Sequence, residues 1–175
     1  MSQGNGDLVG RVRGAAQTYR RGEDRPLGGY VLVMAVFAAL VAGAAGLVTA
    51  RGRRLPELGP QDLLLLAAGT HKLSRLLAKD PVTSPIRAPF TRYSGTGGPA
   101  EVMEEVQTGS GARHAIGELI TCPFCLDLWI ATGFMFGFVF APRLTRLVAG
   151  TFTALAGADF LQLAYARAQQ VATDG

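Results

Sequence analysis

Charge is scarce in this chain. Only 17% of its 175 residues are Asp, Glu, Lys or Arg, against 49% hydrophobic ones. That balance points away from an ordinary soluble domain and towards a membrane protein. Cysteine is scarcer still, with only Cys122 and Cys125 present. A single Cys-x-x-Cys is at most half of a four-thiolate metal site. It also lacks the second exchangeable pair that a quinone-linked thiol relay needs. No nucleotide fingerprint, nucleic-acid module or internal repeat is present, and "GTGG" at Gly95–Gly98 and "GSG" at Gly109–Gly111 are too generic for phosphate loops. Nucleic acid is therefore not an expected partner.

What is abundant is uninterrupted apolar chain. Tyr30–Ala50 holds no charge and no proline, and it is long enough to cross a bilayer core as a helix. Val48-Thr-Ala50 resembles a signal cleavage site. The run is too long for a signal h-region, however, and begins too far from the N-terminus, so a retained anchor is expected. A second apolar stretch covers Trp129–Pro142, extended back to Cys125. A third covers Leu144–Tyr165, broken only by Arg146 and Asp159. Asp62–Lys79 is ambiguous: His71, Lys72, Arg75 and Lys79 fall within about 100° of one helix face. It reads either as a crossing helix with an inward polar face or as an amphipathic helix on the surface.

Basic residues favour four spans with the N-terminus in the cytosol, and three spans give a weaker bias. Either count puts residues 80–121 and the cysteine pair on the cytosolic side. The expected fold class is all-α, a transmembrane helical bundle. Residues 1–29 would be a basic, largely disordered cytosolic tail, residues 30–169 the membrane domain with its loop at 80–121, and residues 170–175 a C-terminal tail. Pro81, Pro85 and Pro89 predict extended chain in the loop, and Glu101–Val106 predicts a short strand or helical turn. Gly133-x-x-x-Gly137, Gly150-x-x-x-Ala154 and Ala42-x-x-x-Gly46 would permit close helix approach.

The polar constellation centres on "ITCPFCLD". Pro123 suits a first helical turn, with Cys122 as the cap and Cys125 one turn in. The positive end of the helix dipole favours thiolate there, which is the logic of Cys-Pro-x-Cys redox sites. His114 and Glu118, at i and i+4, continue that register towards Cys122 and Cys125. These four could hold zinc unless Pro123 interrupts the helix. By helical rise, Arg75 lies roughly 6 Å inside the membrane and Asp127 and Asp159 roughly 7–9 Å inside. Arg75 is expected to neutralise one or both aspartates as a structural ion pair. His71 and Lys72 are further intramembrane polar groups, able to snorkel or to line a polar seam.

The stretches "HKLSRLLAKDPVTSPIRAPFTRY", "RHAIGELITCPFCLDLWIATG" and "AGADFLQLAY" resemble a bacterial family of small membrane proteins, domain-of-unknown-function family 1360. The likeness covers roughly Asp62 to Gln169. It rests on Asp80, Thr83, Pro85 and Arg87, and on Cys122, Pro123, Phe124, Cys125, Leu126 and Trp129. Where this chain has Asp127 the family often has a small residue, so the resemblance says nothing of that side chain. It implies a multi-pass protein of the bacterial inner membrane and carries no activity with it. The residues favour a non-enzymatic structural or interaction component, with lipids, further copies or other membrane proteins as partners. A metal-binding or redox-sensing protein and a membrane thiol oxidoreductase are the alternatives.

Overall fold

The structure, a computed structural model, describes residues 3–21, 25–109 and 111–173. In chain order it contains α1 (Gln3–Arg20), α2 (Leu27–Ala50), α3 (Pro60–Lys79), a 3-10 turn (Pro81–Thr83), α4 (Ser84–Arg87), β1 (Thr91–Thr96), β2 (Val102–Val106), α5 (Gly111–Thr121), α6 (Pro123–Phe140) and α7 (Pro142–Thr173). Among the described residues three helices, α2, α6 and α7, are long and apolar enough to cross a membrane. The preferred count of four is not met on composition, because the second half of α3 carries His71, Lys72, Arg75 and Lys79.

The local signals explain most boundaries. α2 stops where Gly52 adopts φ 56. There Arg53 N–H bonds Val48 O at 3.0 Å and Gly52 N–H bonds Thr49 O at 3.0 Å, a Schellman ending that relieves the last carbonyls. α3, α6 and α7 each begin with proline, which needs no N–H partner in the first turn. Only Ala141 separates α6 from α7, so the two form an antiparallel hairpin.

α3 lies in the groove of that hairpin. Asp62 bonds Arg146, Leu65 O accepts from Thr153, and Lys72 bonds Asp159. Ascending positions match ascending positions, so α3 and α7 run parallel. Gly69 permits the approach: a Cβ there would stand 3.0 Å from Ala149 O. Gly137 seats Thr145 at the α6–α7 corner, whereas Gly133, Gly150 and Gly46 face open space. Of the glycines in the small-residue pairs picked out by spacing, Gly137 makes such a contact and the other three do not. α2 follows the start of α6, with the Phe37 and Trp129 rings edge to face at 5.0 Å.

Three expectations outside the bundle need correction. The described part of the N-terminal tail is the helix α1 rather than disordered chain, while residues 1–2 and 22–24 lie outside the described residues. At the other end α7 continues through Thr173, so no separate tail starts at 170. The proline-rich loop is not extended either. Pro81 and Pro85 both occupy first-turn positions of single helical turns, where proline is compatible with helix. Of the strand and the helical turn left open for Glu101–Val106, the strand forms, at Val102–Val106, but its partner β1 was not legible. The pair is antiparallel, Thr91 opposite Val106 and Thr96 opposite Val102, with an irregularity between Tyr93 and Gly95.

Candidate functional site

Between α3 and α5 the chain builds a small polar module around one side chain, Arg87. Its side chain is fully buried, and every guanidinium nitrogen donates. Nε reaches Glu104 Oε2 at 2.8 Å and Nη2 reaches Glu104 Oε1 at 2.9 Å. Nη1 donates to Leu77 O at 2.7 Å and Thr83 Oγ1 at 2.6 Å, and Nη2 also meets Asp80 O at 3.0 Å. The planar fork suits a carboxylate bidentately. Here it also collects carbonyls that the end of α3 leaves without helical partners.

The surrounding residues complete the arrangement. Asp80 Oδ1 accepts from Val82 N–H at 2.8 Å, and Thr83 Oγ1 donates to Leu76 O at 2.6 Å. Thr91 Oγ1 donates to Glu104 Oε2 at 3.0 Å from the neighbouring strand. Burial alone would push the Glu104 carboxyl up, but Arg87, Thr91 and Ser84 outweigh it and hold the group below its ordinary range. α5 closes over the hairpin at Gly117, where a Cβ would come within 2.6 Å of Val106 Cγ1.

The cysteine pair has the cap geometry expected of it. Cys122 is extended at φ −103 and ψ 106, and its Sγ accepts from Cys125 N–H at 3.2 Å. Both thiols are free; Cys122 is half-buried and Cys125 exposed. His114 and Glu118 do not join them. His114 Nε2 lies 3.4 Å from Glu118 Oε1, but Glu118 turns to α2, accepting from Tyr30 Oη at 2.5 Å and Arg25 Nη1 at 3.3 Å. Among the described residues no three His, Cys, Asp or Glu side chains gather as a metal site. The extended backbone at Cys122, forced by Pro123, breaks the helical register on which the zinc set depended.

The ion pairing expected within the membrane also differs. Arg75 bonds Glu101 at the hairpin turn, not Asp127 or Asp159. Asp159 is taken by Lys72 at 2.5 Å. Lys72 stands about 20° from the line of Leu65 seven residues earlier, on the stripe that meets α7, whereas Arg75 is rotated roughly 80° away. At the far end of α3, Asp62 bonds Arg146 Nε at 2.7 Å, a pair that sequence spacing did not suggest. His71 stacks on Phe160 with ring centroids 6.4 Å apart. Asp127 lines a cleft between α3 and α6, and its Oδ1 is buried without a hydrogen-bond partner.

A family described as "Protein of unknown function (DUF1360)" matches residues 65–165. The chain belongs to this family. The family region takes in most of α3, the Arg87 module, α5, α6 and α7 as far as Tyr165. A relative, "Sporulation protein YjcA" of Bacillus subtilis (strain 168), is 33% identical over 76 residues, which is 42% of this chain. The matched stretch spans 63% of that relative's length. No solved structure matches. The resemblance seen in the sequence is thus confirmed, and the residues that carry its first motif, Asp80, Thr83 and Arg87, are those that fasten the module.

Proposed function

We propose that the protein is a multi-pass component of a bacterial inner membrane with a structural or interaction role, its rigid cytosolic module presented by a helical bundle. The observation that carries this reading is the burial of Arg87. A family-marking arginine has its donors taken up by Glu104, Leu77, Thr83 and Asp80 of its own chain, which is the arrangement of a fastener rather than of a group awaiting substrate. α2, α6 and α7 supply the apolar length for crossing.

We take α3 as the fourth crossing helix. It runs parallel to α7 inside the α6–α7 groove, and its charges meet partners there: Lys72 with Asp159 and Asp62 with Arg146. Paired charge is the form in which ionisable residues enter a bilayer. On this reading the N-terminus, the 80–121 module and the C-terminus share the cytosolic side, in keeping with the distribution of Lys and Arg.

Two measurements test the proposal. The protein should stay with membranes through an alkaline carbonate wash. In single-cysteine variants made in a Cys122→Ser/Cys125→Ser background, Val82→Cys should react with an impermeant thiol reagent only from the cytosolic face, and Leu55→Cys only from the opposite face. Release by carbonate would remove the membrane reading. Labelling of both positions from the same face would remove the crossing of α3.

A further inference from the structure

Every threonine within the described α-helices other than Thr70 hands its hydroxyl hydrogen to a carbonyl. Thr18, Thr121, Thr132, Thr145, Thr151 and Thr173 bond the carbonyl four residues back, Thr49 the one three residues back, and Thr153 reaches Leu65 O on α3. Thr70 is 7% exposed, and its Oγ1 is buried with no partner. Across from it on α6, Asp127 Oδ1 is likewise buried and unpartnered. Both line an open-sided cleft of about 520 Å³, walled by Leu63, Leu66, Leu128 and Ala131, with His71 at its side. Buried polar atoms without partners are rare in folded proteins and call for an explanation. Two such atoms on residues that line one apolar cleft suggest a missing third party.

The chemistry of that party follows from the atoms. Asp127 as carboxylate is acceptor-only, Thr70 can accept, and neutral His71 has one acceptor nitrogen. The neighbouring cations are engaged elsewhere, Lys72 by Asp159 and Arg75 by Glu101. The site therefore favours a cation with several N–H donors on an aliphatic body. Asp127 lies five residues beyond Cys122, roughly 7 Å along the helix, a depth near the boundary between headgroups and acyl chains. We propose that the α3–α6 cleft binds a membrane phospholipid with a primary-amine headgroup, its ammonium between Asp127 and Thr70 and its acyl chain along the Leu63–Leu66–Leu128 wall. This rests on the membrane reading given above.

Phosphatidylethanolamine and phosphatidylcholine separate the claim cleanly, because the second keeps the positive charge and has no N–H to donate. The purified protein is reconstituted in nanodiscs containing both lipids, and the lipids kept on gentle release are counted by native mass spectrometry. Phosphatidylethanolamine should be kept roughly tenfold over phosphatidylcholine, the worth of one charge-assisted hydrogen bond. Asp127→Asn, which preserves shape, and Thr70→Val should each abolish that preference. Equal retention of the two lipids by the wild type would overturn the proposal. So would an ethanolamine preference that survives Asp127→Asn. Added octylamine should displace the lipid, and retention of octylamine by a protein that keeps no phosphatidylethanolamine would overturn the lipid as occupant. A protein that fails to enter nanodiscs at all indicts the membrane reading instead. Helical content measured on each variant keeps misfolding apart from loss of binding.

Discussion

Arg87 and Glu104 give the sharpest tests at the level of single residues. Their side chains are 0% and 7% exposed, so removing either leaves an uncompensated buried charge. Arg87→Ala should cost about 3–5 kcal/mol, read as a fall in the thermal midpoint of the detergent-solubilised protein. The pH dependence has a definite sign. Glu104 is held below its ordinary value of 4.5, so its contribution is complete above that value and is lost as pH falls through the folded one. The wild type should therefore lose stability as the pH is lowered below 4.5, and Glu104→Gln should show a smaller loss over the same range. At the cysteine pair the sulfur works as a cap, and substitution can separate capping from thiol chemistry. Cys122→Ser should preserve stability, while Cys122→Ala should lose about 1 kcal/mol. Equal stability of the two variants would dismiss the cap.

Among whole elements, the closest approach at any described glycine is between α2 and α5. A Cβ on Gly29 would stand 2.0 Å from Gly111 O, against backbone that cannot step aside. Gly29→Ala should therefore destabilise by about 1–3 kcal/mol, whereas Gly46→Ala, in open space, should be neutral or slightly favourable. Unfolding midpoints of the two variants compared with wild type decide it. The same helices show what the sequence could tell. Apolar length announced α2, α6 and α7, and proline with a capping Cys122 announced the start of α6, because these signals are local. Gly69 and Gly137 matter through contacts made by the fold, and nothing in their own neighbourhood distinguishes them from Gly133 or Gly150. β1 was hidden for a related reason. "TRYSGT" is polar, and it becomes a strand by pairing with Val102–Val106.

For the molecule as a whole, charge was legible as a quantity but not as a set of partners. That buried charges would be paired followed from the cost of leaving them alone. Which ones paired depended on helix rotation, and a rotation of about 60° separates Lys72, which meets Asp159, from Arg75, which does not. The candidate site was legible in the same partial way. The Asp80–Arg87 motif was visible as a family mark, but its role required Glu104, a residue with no local signal. The pairings also differ in their reach along the chain, which sets an order of events during synthesis. Arg87 and Glu104 are 17 positions apart and can meet while the ribosome has yet to deliver α6. Lys72 and Asp62 must wait for Asp159 and Arg146, 87 and 84 positions later. A nascent chain thus closes its cap early and carries α3 with unneutralised charges until α7 arrives. On the four-span reading proposed above, α3 is for that interval a poor guest of the lipid, and a chain that stalls before α7 exposes the charges by which a quality-control protease could recognise it.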